Sequence, residues 1–153
     1  MSVAAYPVRV AGPADADAVA ELMCAFRDWW GYEEPGDAAM RAGVERLLAD
    51  PDTEFLLAGE PAAGVAQLRF RYGVWLDAPD CWLEDLFVRE DARGSGLGRA
   101  LVEAAVERAR ARGCRRLDLD VAADNAAARA LYERMGFASP GEEGTYLMRL
   151  RLR

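Results

Sequence analysis

The segment from Glu84 to Arg99 carries the residues whose types and spacing best support chemistry. A carboxylate, Glu84, lies in an apolar run typical of a strand, and glycines follow at 94, 96 and 98, just before an amphipathic segment. This order predicts a strand, a glycine-rich loop and the start of a helix. Backbone N–H groups that meet at a helix N-terminus bind phosphate oxygens. We therefore expect a pyrophosphate-bearing ligand at the loop and part of the chemistry on the strand.

The types of side chain that the chain lacks narrow this chemistry further. The sequence has no histidine, which excludes Ser-His and Cys-His nucleophile pairs and a histidine-based metal site. All 19 basic residues are arginine, so a lysine-containing phosphate loop and a Schiff base are excluded as well. Serine occurs only at positions 2, 95 and 139. Proton transfer is left to aspartate, glutamate, tyrosine and cysteine.

Composition predicts a single domain over residues 1–153 with its own core. No run approaches ~20 apolar residues, and the N-terminus lacks the pattern of a signal peptide, so we expect no membrane partner. Cys24, Cys81 and Cys114 are widely spaced, which favours a reducing, cytoplasmic setting and no metal. A net charge of −7 argues against nucleic acid and is compatible with a cationic small molecule.

Hydrophobic periodicity predicts an α/β chain in which helices and strands form a mixed sheet. The predicted strands are Tyr6–Val10, Glu54–Ala58, Gly64–Tyr72, Cys81–Val88, Arg115–Val121, a segment that opens at Phe137, and Thr145–Leu152. The predicted helices run from Pro13 to Trp30, from a cap at Asp37 to the residue before Pro51, from Leu97 to Arg112, and from a cap at Asp124 to Gly136. The second and third strands form a hairpin, and residues Gln67, Arg69 and Arg71 give the third strand one wet face.

Two motifs resemble those of the GNAT superfamily of N-acetyltransferases. Arg93, Gly96 and Gly98 follow an apolar strand and match the family's acetyl-CoA signature, R/Q-x-x-G-x-G/A. The fixed positions of the second family motif, N-x-x-A-x-x-x-Y-x-x-x-G-F, are occupied by Asn125, Ala128, Tyr132, Gly136 and Phe137. The resemblance covers essentially the whole chain and is strongest over residues 81–137. The run Trp82–Val88, with its aromatic-Leu-Glu-Asp start, is similar to the diamine/polyamine N-acetyltransferase subgroup.

The resemblance implies a GNAT-like fold and an acetyl-CoA-dependent enzyme. The expected fold is a mixed, mostly antiparallel, twisted sheet of about seven strands with four helices, splayed between the fourth and fifth strands. The expected reaction is direct transfer of acetyl from acetyl-CoA to an amine, without an acyl-enzyme and without a metal. Homodimers are common among similar proteins, and we expect one here.

The resemblance also assigns roles to individual residues. Glu84 would be the general base that deprotonates the acceptor ammonium, and its apolar strand could raise its pKa toward the working range. Asp85 is the competing base, since strand alternation puts the two carboxylates on opposite faces unless the strand has a bulge, as it typically does in the family. Tyr132 would be the general acid for the CoA sulfur. Asn125, seven residues earlier, lies on nearly the same helical face and would meet the same cofactor arm.

The cofactor would lie along the strand and the glycine loop. The amides of Leu86, Phe87 and Val88 would pair with the pantetheine arm and polarise the thioester carbonyl. The residues expected to bind the pyrophosphate are Arg93, Gly94, Ser95, Gly96, Leu97, Gly98 and Arg99.

The acceptor side is predicted from carboxylates that lie among aromatic residues, which suit a cationic amine such as a polyamine. The predicted contacts are Trp30, Glu33, Glu34 and Asp85. Two alternatives stay open at this point. One is acetylation of a peptide N-terminus, a protein lysine or an aminoglycoside, and the other is a non-catalytic module that binds CoA.

Overall fold

The structure, a computed structural model, describes residues 6–139 and 148–152, which divide into two compact units. The first unit, residues 1–120, contains all strands of the described sheet. The second unit is residues 121–153, and its described part contains one helix. The strands are β1 (Val8–Val10), β2 (Thr53–Ala58), β3 (Gly64–Gly73), β4 (Ala78–Val88) and β5 (Leu117–Asp118). The helices are α1 (Ala16–Trp30), α2 (Asp37–Leu48), α3 (Leu97–Ala111) and α4 (Ala126–Arg134).

The sheet of the first unit is mixed and mostly antiparallel, as predicted. Its strand order is β1-β2-β3-β4-β5, and only the β4–β5 pair is parallel. That pair is short, with Cys81 beside Leu117 and Trp82 beside Asp118. From Leu83 onward β4 has no registered partner on this side among the described residues. The expected separation of the fourth and fifth strands is therefore confirmed, and it leaves one edge of β4 open.

The count of about seven strands was too high for the part of the chain that the structure describes, which has five. The fifth strand shrinks from Arg115–Val121 to Leu117–Asp118, because its neighbour β4 diverges after Trp82. Residues 137–139 and 148–152 are in no strand, and residues 145–147 of the last predicted strand lie outside the described residues. Alternation of apolar and polar residues indicates that a segment could form a strand. The strand forms only where a neighbouring strand supplies hydrogen-bond partners for its backbone.

Two faces of the sheet are covered by different helices. Val65 of β3 belongs to a buried cluster that joins α1 and α2 to the sheet. Its neighbour Gly64 points to the opposite face, where a Cβ on Gly64 would come within 3.0 Å of Leu101 of α3. Glycine at this position is what allows α3 to approach the sheet so closely. The glycine-rich segment at the start of α3 is thus held against the end of β4.

Truncating Leu101 to alanine is expected to destabilise the protein by about 3 kcal/mol, because the side chain is fully buried between α3 and the sheet and leaves a cavity. Equilibrium urea denaturation measures this loss. The matched control is Glu103→Ala on the exposed side of the same helix, where only an ion pair with Arg99 is removed and the loss should stay below about 0.5 kcal/mol. Equal losses in the two variants would contradict the assigned packing of α3.

None of the helices among the described residues is both long and apolar enough to cross a lipid bilayer.

Candidate active site

A β-bulge in the middle of β4 organises the polar residues of the first unit. Asp85 is registered opposite Gln67 of β3, but the next pair is Leu83 opposite Leu68, so Glu84 is an extra residue with no partner. The bulge expected from the family resemblance is present, and it falls at the two predicted carboxylates. Because a bulge interrupts the period of two, it changes which face each of these side chains occupies.

The register places Asp85 on the sheet face covered by α1 and α2. Gln67 and Asp85 are directly opposite each other and so share a face, and Val65 and Phe87 lie two residues further along on that face. Val65 and Phe87 both belong to the buried cluster with α1 and α2. Glu84 is exposed, whereas Asp85 is partly buried. The buried environment that was expected for Glu84 is therefore found at Asp85.

The environment of Asp85 has a direct consequence for its protonation. Burial, and to a smaller extent the negative charges of Glu84 and Asp120, together raise the pKa of this carboxyl from its ordinary 3.8 to about 6. A carboxyl with a pKa near 6 is largely ionised at neutral pH and still accepts a proton effectively. In the first unit, the environment suited to a general base is thus found at Asp85.

The open edge of β4 presents backbone groups to a ligand. Arg89 donates its N–H to the carbonyl of Ala63 across the β3–β4 ladder (2.9 Å). Since orientation alternates along an antiparallel strand, Phe87 also faces β3, while Leu86 and Val88 direct their N–H groups to the open side. Of the three amides predicted to bind the cofactor, that of Phe87 is directed into the sheet. The amides of Leu86 and Val88 are available.

The glycine loop turns from β4 into α3 through two left-handed residues. Gly94 and Gly96 have φ angles of +75° and +93°, a region that favours glycine. Gly96 is the N-cap of α3, and no side chain caps the helix. The Ser95 hydroxyl is turned into the loop, where it donates to the Ala92 carbonyl. The N–H groups at residues 97–99 have no acceptor within the helix and suit an anion.

The two predicted arginine ligands of the loop already have protein partners. Arg93 donates Nε to the carbonyl of Val88 (3.0 Å), and its guanidinium lies over the rings of Trp29 and Phe87, 5.0 and 5.8 Å from their centroids. Arg99 pairs with Glu103 one turn further along α3 (2.8 Å). Both charges remain beside the glycine loop, and the contacts of Arg93 tie the loop to β4 and α1.

The predicted acceptor contacts are only partly brought together. The Trp30 ring packs at a tilt against Phe26, with centroids 6.2 Å apart. Phe26 in turn stacks on Phe87 with centroids 5.0 Å apart, which connects Trp30 to the face that carries Asp85. Glu33 and Glu34 are exposed, and the described contacts connect neither of them to Asp85. Glu34 instead accepts the N–H of Gly36, the residue that caps α2 in place of the predicted Asp37.

A cleft of about 400 Å³ between α1 and α2 was not found by sequence reasoning. Its carboxylates are those of Asp17, Glu21, Asp28 and Asp37. Each has an arginine partner within 3 Å: Arg41 for Asp17, Arg89 for Glu21, and Arg27 for the other two. Because these charges are largely neutralised by pairing, the cleft is a weaker cation site than its acidic composition suggests. No group of three metal-ligating side chains is present in residues 6–139 and 148–152.

The second unit carries the two predicted residues of the later motif on α4. Asn125, and not the predicted Asp124, caps this helix, since its Oδ1 accepts the N–H of Ala128 (3.2 Å). Tyr132 is buried, and its ring packs edge-on against Phe137 with centroids 5.7 Å apart. The motif therefore has a structural role within this unit. The proposed roles of Asn125 and Tyr132 toward a cofactor stay predictions.

Sequence reasoning missed Gln67. The alternation along β3 indicated a solvated face, but Gln67 is only 4% exposed because α1 and α2 cover that face. The available signal was an amide among apolar residues in the predicted strand before the one that carries Glu84 and Asp85. Only the register shows that it lies opposite Asp85.

Several curated proteins are similar to this chain in sequence. A curated relative, mycothiol acetyltransferase from Beutenbergia cavernae, is 42% identical over 76 residues, which cover 48% of this chain and 26% of the relative. The chain spans between about a quarter and a half of the length of the first curated relatives it matches. An aminoglycoside N(6')-acetyltransferase type 1 from Stenotrophomonas maltophilia is 32% identical over 144 residues, covering 90% of this chain and 89% of the relative.

Among solved structures, a proposed acetyltransferase from Arthrobacter sp. FB24 superimposes with a TM-score of 0.85 at 37% identity, covering 100% of this chain and 98% of the other. The model of the acetyltransferase (GNAT) family matches residues 17–137, which include β4, the glycine loop and the second motif. The predicted acyltransferase class is thereby confirmed at the level of the family. On its sequence and its fold alike, the chain belongs to the acetyltransferase (GNAT) family.

Proposed function

We propose that this chain is an acetyl-CoA-dependent N-acetyltransferase that acts on a primary amine of a small cationic acceptor. The observation that carries the proposal is the bulge in β4, which sets a partly buried carboxyl with a raised pKa beside a strand edge that has no partner among the described residues. A base and a row of free amides in one place are what acetyl transfer to an amine requires.

The residues at the open edge of β4 fit acetyl-CoA. The N–H groups at the start of α3 suit its pyrophosphate, and the two positive φ angles in the loop let the backbone approach the phosphates closely. The amides of Leu86 and Val88 suit the pantetheine arm and the carbonyl oxygen of the thioester. When bound, acetyl-CoA supplies an activated acetyl group.

The proton transfers are assigned to three residues of this chain. A protonated amine is not a nucleophile, so a base must first take a proton from it. Asp85 is the base that burial and pKa favour, and Glu84, the base inferred from the family resemblance, lies next to it at the bulge. As the new N–C bond forms and the C–S bond breaks, Tyr132 is proposed to donate a proton to the departing sulfur, so that CoA leaves as a thiol. The nitrogen then loses its second proton through solvent, which restores the Tyr132 hydroxyl.

The proposed acceptor is a small polycation, a class that includes polyamines and aminoglycosides. One relative that matches along most of its length is an aminoglycoside N(6')-acetyltransferase, and another is an IAA acetyltransferase. The aromatic residues Phe26, Trp29 and Trp30 lead from α1 to Phe87 on the face of Asp85, and rings of this kind stabilise cations. Polyamine specificity rests on the similarity of residues 82–88 alone.

A thiol-release assay with acetyl-CoA tests the proposal. Three acceptors are compared with a reaction without acceptor: spermidine, kanamycin, and a peptide with a free N-terminal alanine. We expect turnover with at least one of the two polycations. Turnover with the peptide alone would replace the proposed acceptor class. Binding of acetyl-CoA without turnover on any amine would favour the non-catalytic module, and sedimentation of the same sample tests the expected homodimer.

Replacing Tyr132 with phenylalanine is expected to lower kcat by about 10²-fold while the Kd of acetyl-CoA changes little, because only the acidic hydroxyl is removed. Steady-state kinetics and calorimetry measure the two quantities. Phe137→Leu is the matched control, since it changes the ring against which Tyr132 packs and keeps the hydroxyl. An unchanged kcat in Tyr132→Phe would remove this residue from the role of general acid.

A further inference from the structure

Gln67 differs from the other buried polar side chains that the structure describes. Within residues 6–139 and 148–152, the buried polar or charged residues are Thr53, Gln67 and Asp80. Thr53 donates its hydroxyl to Asp50 (2.9 Å), and Asp80 accepts from Arg71 and Arg116 (3.3 and 2.9 Å). The Gln67 amide has no hydrogen-bond partner in the same ranges.

The surroundings of Gln67 make the lack of a hydrogen-bond partner unusual. Phe55 is its registered neighbour on β2 and is 1% exposed, and Val65 and Phe87 flank it on the same face. A buried amide without a hydrogen bond costs about 1–3 kcal/mol. In the described part of the chain, the only side-chain atom sealed from solvent without a partner is Nη1 of Arg112. The Gln67 amide therefore keeps a small solvent-accessible surface.

The position of Gln67 relative to Asp85 indicates which ligand that is. The two residues are directly opposite each other at the bulge, a spacing that brings Cβ atoms to about 5 Å and side chains to one small volume. They do not bond to each other, although an amide N–H and a carboxylate readily could. Both side chains thus keep capacity for hydrogen bonds on the face where the acceptor amine would be deprotonated.

Building on the proposed function, we infer that Gln67 positions the acceptor amine for Asp85. Asp85 accepts one proton from the primary ammonium, and Oε1 of Gln67 accepts a hydrogen bond from one of the two N–H groups that remain. This contact turns the nitrogen lone pair away from β3. A neutral amide suits the role because a second carboxylate opposite Asp85 would raise the pKa of Asp85 and keep it protonated.

Gln67→Met tests the inference, because methionine has nearly the same shape and accepts no comparable hydrogen bond. With the amine of the panel that reacts fastest, we expect kcat/KM for the amine to fall by about tenfold, while KM for acetyl-CoA stays unchanged. The melting temperature should stay equal or rise, since an unpaired buried amide is lost. The matched control is Thr53→Val, in which a bonded buried group is lost. Its melting temperature should fall while its kcat/KM stays unchanged.

Gln67→Glu adds a second measurement, the pH dependence of kcat/KM, which would not change if the role of Gln67 were purely structural. The new carboxylate keeps a hydrogen-bond acceptor and raises the pKa of Asp85, so the acidic limb of kcat/KM should move above about pH 6 and activity should recover at higher pH. Gln67→Met should not recover at any pH. If the wild type is active, two results would overturn the inference alone. One is an unchanged kcat/KM in Gln67→Met, and the other is a fall in the melting temperature of Gln67→Met that accounts for its lower kcat/KM. A wild type that acetylates no amine overturns the proposed function as well.

Discussion

Replacing Asp85 with asparagine is expected to lower kcat by about 10²-fold or more and to remove the acidic limb of the pH–rate profile. Removal of a general base typically costs a factor of 10²–10⁴. In the wild type, kcat/KM should rise as Asp85 loses its proton, with an apparent pKa of about 6. The measurement is a set of steady-state rates with acetyl-CoA and the reactive amine between about pH 5 and pH 9.

Glu84→Gln is the matched variant, since it removes the neighbouring carboxylate from the same bulge. If Asp85 is the base, Glu84→Gln keeps most of kcat and moves the acidic limb to lower pH, because one of the charges that raise the pKa of Asp85 is gone. A large loss in Glu84→Gln together with a small loss in Asp85→Asn would reverse the assignment. It would return the role to Glu84, the residue expected from the family resemblance.

Stability measurements separate a catalytic effect from misfolding in Asp85→Asn. The pKa of Asp85 is raised from 3.8 to about 6 in the folded protein, so the folded state binds this proton more tightly than the unfolded chain does. Its contribution to stability is present in full below about pH 3.8 and is lost as the pH rises through about 6. At about pH 8, Asp85→Asn should therefore unfold at the same or a higher temperature than the wild type.

Gly96→Glu is expected to abolish measurable binding of acetyl-CoA, a loss of about 10²-fold or more in affinity. The substitution places a negative charge at the N-cap of α3, where a phosphate would otherwise lie, and forces a side chain onto a φ angle of +93°. Isothermal titration calorimetry with acetyl-CoA measures the loss. Normal binding by the variant would count against the proposed role of the glycine loop.

Two control variants separate the charge from the backbone strain. Gly96→Ala keeps the strain but adds no charge, and its Cβ would meet only the Tyr6 ring at an ordinary 3.6 Å, so an intermediate affinity is expected. Gly43→Ala lies within α2, where a Cβ meets nothing within 4 Å, and should leave affinity unchanged and add up to about 1 kcal/mol of stability. Equal affinities for Gly96→Ala and Gly96→Glu would assign the whole effect to strain.

Local elements were the part of the fold that sequence patterns predicted best. Helix α3 was expected over Leu97–Arg112 and ends at Ala111, and the β2–β3 hairpin agrees to within one residue at each end. These elements are specified by nearby side chains: an apolar half-wheel for the helix, and alternation between turn residues for the strands. The caps of α2 and α4 were each misplaced by one residue. At α4 the adjacent polar residues Asp124 and Asn125 compete for the same N–H groups, whereas α2 begins after Gly36 without a side-chain cap.

The sequence by itself determined the family and the order of the elements around β4, and it predicted the pair of carboxylates within which a base should lie. It did not determine which carboxylate is buried, because a shift of one residue exchanges the two faces of a strand. That choice was made by the bulge opposite Gln67 and by the packing of α1 and α2 over the face that Asp85 shares with Phe87. Desolvation depends on residues far away in the chain, so the identity of the residue with the raised pKa is a property of the tertiary structure.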